Sequence, residues 1–214
     1  MQVRPRSDKP AYNRDVESAE VRLARALIDG QVDAFDEFVE MFRTRIFQYS
    51  YLMCGQREDA EEVAQDTLLK VFENLNTLRE PERIRSWVFR IAKNECLMKR
   101  RRSVFAPEHE LSLEKYLDGD GDTTRHQIAD GGILPYDEVL QNQMNTVLNR
   151  AIKALPPNYR SVILLRDMEE LSTEETAEIL DVSTDVVKQR LHRGRLILKK
   201  LFDEQIAARE QHHA

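Results

Sequence analysis

The stretch from 172 to 202 restricts the fold more than any other, because it carries two helix signals on either side of a tight turn. Ser172 and Glu175 have the spacing of a capping box, in which the hydroxyl and the carboxylate each accept from an unpaired backbone amide. The first helix is predicted to end near Asp181, and Ser183 can cap a second helix. That second helix carries one apolar seam at helical spacing, formed by Val187, Leu191, Gly194, Leu198 and Leu201.

The second of these helices is strongly basic outside its seam. Residues 188–200 hold six Lys or Arg and no acid. A tight turn between two helices, with a basic second helix, predicts a helix-turn-helix whose second helix enters the major groove of DNA. The small Ala177 permits a close crossing of the two helices, although Thr176 stands where such motifs usually have an aliphatic residue. An ordinary helical hairpin with a solvated basic face remains the alternative for this stretch.

The composition predicts an all-α protein without a catalytic motif. Of the 214 residues 41% are hydrophobic, which is enough for a core, and the 7 Gly and 7 Pro are few. No apolar run reaches transmembrane length and the first ten residues lack a signal-peptide core, so we expect a soluble, cytoplasmic protein. The 5 histidines have no metal or triad spacing, and no phosphate-binding loop is present. We therefore expect no enzyme activity, no metal site and no cofactor.

The two cysteines have no obvious role in the sequence. Cys54 and Cys96 lack the spacing of a zinc site. We expect them to be reduced residues of the core or its edge, with a redox or metal role as the less favoured alternative.

The net charge of −6 hides two basic segments and one acidic one. Residues 79–102 hold nine Lys or Arg against three acids, and 188–200 are purely basic, whereas 104–138 hold nine acids against two bases. Two separate basic segments on an acidic chain predict two nucleic-acid contacts and a basic protein partner.

The periodicity divides the chain into two small helical domains joined by an acidic flexible linker. The apolar spacing predicts helices over much of both domains, with Asp33 and Asn158 as helix caps and Gly55 as a break. The predicted boundaries are a disordered arm at 1–15, an N-terminal domain at 16–103, the linker at 104–134, a C-terminal domain at 135–208 and a tail at 209–214.

The predicted helix at 57–75 has an acidic outer face. Five acids lie between 58 and 66, with no base among them. Acids in a first turn complement the helix dipole, and such a face can also dock a basic partner. Both interpretations stay open for the residues of this face, which include Glu58, Asp59, Glu62, Gln65 and Asp66.

Three stretches together resemble the extracytoplasmic-function (group IV) sigma factors of the sigma-70 family of bacterial RNA polymerase. They are DAEEVAQDTLLKVFENL at 59–75, RSWVFRIAKNECLMKRRR at 85–102, and the segment from ALPPNYR to LILKKL at 154–201, in the order and spacing of the family. The resemblance implies a sigma factor with a sigma2-like N-terminal domain and a sigma4-like C-terminal domain. Such a factor binds core polymerase, recognises promoter DNA and assists strand opening.

The resemblance also implies partners and site residues. The acidic face would bind the clamp helices of the largest polymerase subunits, and the polymerase flap would be a second contact. The upstream promoter element would be contacted by Arg166, Thr173, Glu174, Lys188, Gln189, His192 and Arg193. The unpaired downstream strand would be held by Arg83, Arg85, Arg90, Lys93 and Asn94 together with the loop at 76–83.

Two further points follow from the family. Its members are often held by an anti-sigma factor, which makes such a factor a candidate partner here. The competing hypothesis is a helix-turn-helix regulator that binds duplex DNA without melting it, which would leave residues 57–102 as a sensing domain.

Overall fold

The computed structural model describes residues 18–102 and 136–210, and their regular structure is entirely helical. This confirms the all-α prediction of two helical domains. The predicted arm, the linker and the end of the tail lie outside the described residues, and the domain boundaries therefore stay predictions.

Four helices build the N-terminal domain, and local signals set their ends. Ser18 caps the first helix by accepting from the Val21 amide at 3.3 Å. Gly30 and Gly55 follow the first two helices with φ of 83° and 89°, a conformation that glycine adopts without steric cost. Asp33 does occupy the cap position of the second helix, but its carboxylate makes no capping hydrogen bond. The helices are α1 (Ala19–Ile28), α2 (Ala34–Cys54), α3 (Arg57–Asn74) and α4 (Ile84–Arg102).

The predicted loop at 76–83 is partly helical. Two 3₁₀ turns, Leu75–Thr77 and Pro81–Arg83, connect α3 to α4. Pro81 begins the second turn, where its missing N–H costs no hydrogen bond. Arg83 is therefore part of a helical turn that leads directly into α4.

The C-terminal domain also has four α-helices, and one predicted cap is wrong. Pro156 is the cap of the second helix and Pro157 its first residue, so Asn158 lies inside the helix. Proline suits the first helical position because an N–H there would have no partner within the helix, so its absence costs nothing. The φ of proline is also already helical. The helices are α5 (Tyr136–Ala154), α6 (Pro157–Ile163), α7 (Thr173–Leu180) and α8 (Thr184–Glu210), with a π-helical turn at Leu164–Met168 after α6.

The helix-turn-helix prediction holds in detail. The Glu175 amide donates to the Ser172 hydroxyl at 3.1 Å and the Ser172 amide donates to the Glu175 carboxylate at 2.8 Å, which is the complete capping box. Asp181 turns the chain in the left-handed region at φ 55°, and Ser183 accepts from the Val186 amide at 3.3 Å. Between them α7 and α8 form the predicted two-helix unit.

The seam of α8 packs against α6 through a glycine. Gly194 is buried, and a Cβ built on it would lie 3.2 Å from Ile163 Cγ1 and 3.4 Å from Tyr159 Cβ. Val187 and Leu201 are also buried, as predicted, and Ile197 joins them. The close approach of the two helices thus depends on the missing side chain at 194.

The two domains share one apolar core. Leu164, Leu165 and Leu171 belong to the same buried cluster as Phe38, Phe42, Phe89 and other residues of the N-terminal domain. Ile152 and Ile179 also join this cluster. The C-terminal domain therefore packs directly on the N-terminal domain, an arrangement that the sequence does not predict.

Candidate nucleic-acid and polymerase interfaces

The helix-turn-helix presents a polar row along the first half of α8. Lys188, Gln189 and His192 are exposed and Arg193 is half-buried, with positions three and four apart sharing one helix face. Among the described residues, the one ion pair of Lys188 is an exposed contact with Asp185 at 3.3 Å. The row can reach a DNA groove without rearrangement of its own helix.

Three further residues predicted for the upstream element lie outside α8. Thr173 and Glu174 are in the first turn of α7, where Glu174 is exposed. Arg166 lies in the π-helical turn, and its Nε is buried with no hydrogen-bond partner among the described residues.

The second predicted DNA surface is occupied by the protein's own carboxylates. Arg83 donates to Glu178 on α7, and Arg90 donates to the same oxygen at 3.1 Å. Both arginines and the glutamate are between 42% and 48% exposed, so the bridge lies at the rim of the domain contact. One carboxylate therefore pairs with two of the arginines that the sequence predicts to hold DNA.

Arg85 belongs to a more buried charge cluster at the same domain contact. It donates to Glu20 at 2.9 Å and to the Glu169 carbonyl at 3.2 Å. Arg45 donates to the Glu169 carboxylate at 3.0 Å and also to Glu20. Burial raises the pKa of Glu169, and the positive charge of Arg45 opposes that shift. The cluster links α1, α2 and α4 to the π-helical turn of the C-terminal domain.

The two remaining residues predicted to hold the downstream strand lie further along α4. Asn94 is exposed and Lys93 is half-buried. The arrangement in which the C-terminal domain packs on the N-terminal domain is the closed arrangement. In it Arg83, Arg85 and Arg90 contact acids and carbonyls of the same chain, whereas Asn94 is open to solvent.

The acidic face of α3 is partly neutralised by α4. Lys99 lies 3.2 Å from Asp59 and 2.5 Å from Glu62. The hydrogen bond to Glu62 is the main reason that the pKa of Lys99 is raised. Glu58 and Gln65 are exposed and Asp66 is half-buried, so they remain on the outer surface.

Two apolar side chains of α3 lie on the surface, which the spacing of apolar residues in the sequence does not predict. Leu69 and Phe72 are each 56% exposed, although Phe72 lies at helical spacing from Leu68, which packs against the core. Phe72 contacts the edge of Phe35, with ring centroids 5.0 Å apart. The acids surround these two side chains on the outer face of α3, and an apolar centre with a polar rim is the usual arrangement of a protein interface.

The C-terminal domain has an apolar groove between α5 and α8. Its volume is about 320 Å³, and it is lined by Asn145, Leu148, Arg195, Leu198, Lys199 and Phe202. Leu148 and the nearby Leu196 are 38% and 50% exposed. Periodicity places Leu148 in the core, and only the packing shows that it opens onto a groove.

The end of α2 makes a third set of polar contacts between the domains. Arg160 donates to the carbonyls of Leu52 and Met53 at 3.2 and 3.3 Å, and to that of Leu155 at 2.8 Å. Lys153 donates to the Gly55 carbonyl at 3.1 Å and covers the ring of Tyr51. These contacts satisfy carbonyls that a helix end leaves without intrahelical partners.

Among the residues that the structure describes, no helix is long and apolar enough to cross a membrane. The same residues form no group of three side chains suited to a metal ion.

Comparison with known proteins gives matches in both domains. The chain matches the family described as Sigma-70 region 2 over residues 38–104 and the family described as Sigma-70, region 4 over residues 146–198. It is 33% identical over 171 residues to the ECF RNA polymerase sigma factor SigW of Bacillus subtilis, covering 80% of this chain and 90% of that protein. It is 31% identical over 168 residues to the RNA polymerase sigma factor YlaC of Bacillus subtilis, covering 78% and 91% of the two chains.

Solved structures show the same fold. A sigma factor RpoE in complex with the anti-sigma factor NepR from Bartonella quintana matches with a TM-score of 0.59 and 21% identity, covering 80% of this chain and 98% of that one. CnrH in complex with the cytosolic domain of CnrY matches with a TM-score of 0.57 and 22% identity, covering 87% and 99%.

Proposed function

This chain belongs to the extracytoplasmic-function sigma factors of the sigma-70 family, and on that basis we propose which of its surfaces contact promoter DNA and which contact core polymerase. It is an alternative RNA polymerase sigma factor, a transcription initiation factor, and the hypothesis of a regulator that only binds duplex DNA is not favoured. Sigma factors act by binding, so we assign no reaction to it. We place its work in the cytoplasm, with the polymerase.

The upstream promoter element contacts the polar row on α8. The observation that carries this proposal is the exposure of Lys188, Gln189 and His192 on one face of the second helix of a helix-turn-helix. Gln189 has the donor and acceptor needed for an adenine edge, and Lys188 and Arg193 suit guanine or phosphate. Thr173, Glu174 and Arg166 flank this row and contact the backbone or the adjoining base pairs.

The downstream strand contacts the start of α4. Arg83, Arg85, Arg90 and Lys93 supply positive charge for single-stranded DNA, and the exposed Asn94 can hydrogen-bond an unpaired base. Because Glu178 and Glu169 occupy three of these arginines in the closed arrangement, the C-terminal domain must leave the N-terminal domain before the strand can bind. Promoter opening is therefore coupled to domain separation.

Core polymerase contacts both domains. We assign the clamp-helix contact to the outer face of α3, with Glu58, Asp59, Glu62, Gln65 and Asp66 around the exposed Leu69 and Phe72. The groove between α5 and α8 is the matching candidate for an apolar segment of the flap, because it is open, apolar and rimmed by Arg195 and Lys199. Two contacts on separate domains would hold the domains apart.

An anti-sigma factor is the other proposed partner. A sigma factor of similar fold, RpoE, was solved in complex with the anti-sigma factor NepR. For this chain such a factor would act by stabilising the closed arrangement or by covering the α3 face.

The test uses core polymerase, the full chain and a cognate promoter, with permanganate to detect unpaired thymines. Wild-type protein should protect the upstream element and open the strands. Gln189→Ala should weaken upstream protection at an adenine contact by a cost of about 1–3 kcal/mol, whereas Glu204→Ala, at an exposed position on the same helix beyond the row, should not. Asn94→Ala should retain upstream protection and lose opening. Upstream protection by the wild type without any permanganate reactivity would contradict strand opening and restore the duplex-binding regulator.

A further inference from the structure

The two cysteines of the chain lie together although 42 positions separate them. Cys54 is the last residue of α2 and Cys96 lies on α4, and their Sγ atoms are 3.7 Å apart. Cys96 is 1% exposed, whereas Cys54 is half-buried. An oxidant can therefore reach Cys54 first, and Cys96 lies within reach as the second thiol.

A buried tyrosine hydroxyl accompanies the pair. Tyr49 is 1% exposed, and its hydroxyl has no hydrogen-bond partner among the described residues. Burial raises the pKa of Tyr49 well above its ordinary value, and Cys96 and Cys54 act in the same direction. Tyr49 shares the apolar core with Cys96 and Cys54, and a neutral hydroxyl that donates to an oxygen added to one of the sulfurs would satisfy a buried polar group.

The residue that must move lies at the domain contact. Cys54 is followed by Gly55, whose φ of 89° ends α2. The carbonyls of Leu52, Met53 and Gly55 around it accept from Arg160 and Lys153 of the C-terminal domain. A displacement of Cys54 therefore changes the geometry of these hydrogen bonds.

We propose that Cys54 and Cys96 form a peroxide-sensitive dithiol whose oxidation to a disulfide loosens the docking of the C-terminal domain. A disulfide needs its sulfurs about 2.05 Å apart, so the pair must close by well over an ångström. Cys96 lies on α4 and is buried in the core, whereas Cys54 is at the end of α2 beside a glycine. Cys54 is therefore the residue that moves, toward α4. The carbonyls of its turn move with it, away from Arg160 and Lys153.

The chemistry balances with hydrogen peroxide as the oxidant. The Cys54 thiolate attacks one peroxide oxygen, the O–O bond breaks, and Cys54 becomes a sulfenic acid while hydroxide leaves and takes a proton. The Cys96 thiolate then attacks the Cys54 sulfur, the S–S bond forms, the S–O bond breaks, and the second oxygen leaves as water. The thiol sulfurs lose two electrons in total, peroxide gains them, and both thiol protons end in water.

The experiment treats the full chain with hydrogen peroxide, removes the excess with catalase, and measures three quantities. Peptide mapping without reductant detects the link between 54 and 96, small-angle scattering gives the radius of gyration, and circular dichroism gives the helix content. We expect the link in the wild type, unchanged helicity and a radius of gyration larger on the order of several ångströms, reversed by dithiothreitol. Cys54→Ser should show no link and no expansion, which separates the effect from oxidation of the 6 methionines. Cys96→Ala serves as the second control, since it leaves Cys54 in place and only removes its partner.

Several results would overturn the proposal. Both thiols could still be alkylated when the treated protein is denatured without reductant, or the link could form while the radius of gyration stays at its reduced value. Expansion with loss of helicity would indicate unfolding, and equal expansion in Cys54→Ser would place the cause elsewhere. Each of these outcomes removes the switch, and none of them depends on which surfaces bind DNA.

Discussion

At the scale of single residues, Thr176 is a polar side chain in a position built for an apolar one. It lies on α7 with none of its surface exposed, and its hydroxyl has no hydrogen-bond partner among the described residues. Thr67 on α3 is equally buried, but its hydroxyl donates to the Val63 carbonyl at 2.7 Å. The two threonines are therefore equally buried, and they differ in whether the hydroxyl makes a hydrogen bond.

This pair gives a matched test of the cost of an unsatisfied hydroxyl. Thr176→Val should raise the free energy of unfolding by about 1 kcal/mol, because a methyl replaces a buried group that has lost its water. Thr67→Val removes a hydrogen bond that is made and should bring no gain. Chemical denaturation of both variants measures the difference, and an equal effect at the two positions would contradict the explanation.

At the scale of helices, Gly194 decides how α8 crosses α6. In an exposed helix Gly→Ala stabilises by roughly 1 kcal/mol through propensity. Here the new Cβ would meet the buried Ile163 at 3.2 Å and the Cβ of Tyr159 at 3.4 Å, and a Cβ close to its backbone cannot move aside. Gly194→Ala should therefore lower the free energy of unfolding by about 1–3 kcal/mol, the usual cost of overpacking. A thermal melt with a raised midpoint would mean that propensity outweighs the crossing.

The outer face of α3 gives a prediction about polymerase binding. Leu69→Asp should leave the fold intact, because the side chain is more than half exposed, and should weaken binding to core polymerase by more than about tenfold, as for an apolar interface anchor. Val32→Asp, at a 76% exposed position before α2, makes the same kind of change away from α3. Titration of labelled variants with core polymerase measures both. Similar affinities for the two would remove Leu69 from the contact.

Local signals in the sequence predict the helices well, and they fail where distant parts of the chain meet. The capping box at Ser172 and the break at Gly55 act through neighbouring residues, so a short stretch contains the whole cause. Asn158 was predicted as a cap because it is a good cap type, but Pro157 begins the helix earlier. Phe72 follows the buried spacing of α3 and is nevertheless exposed, because periodicity cannot distinguish a core face from an apolar surface. The approach of Cys54 to Cys96 and the pairing of Arg83 with Glu178 depend on tertiary packing, which has no short-range signal.

At the scale of the whole molecule, one carboxylate on α7 connects the two surfaces proposed to bind DNA. Glu178 holds Arg83 and Arg90, and these contacts are half-exposed and therefore sensitive to salt. Glu178→Gln should raise the affinity of the full chain for single-stranded oligonucleotides, with a steeper dependence on salt, because two arginines become available to phosphate. Glu204→Gln on α8 makes the same change in net charge.

Fluorescence anisotropy at several salt concentrations would measure both variants. Equal gains for Glu178→Gln and Glu204→Gln would reduce the effect to net charge and contradict the specific role of Glu178.

The shared apolar core has a consequence for how much protein a cell needs. Under the proposed coupling only open molecules place both domains on the polymerase, so the observed dissociation constant is the intrinsic one divided by the open fraction. If closed molecules outnumber open ones by about 100 to 1, half-occupancy of the polymerase requires about 100 times more protein. A ligand that binds only the closed form raises the required protein concentration further. A substitution that weakens the domain contact at Leu164, Leu165 and Leu171 lowers that concentration without altering any residue proposed to contact DNA.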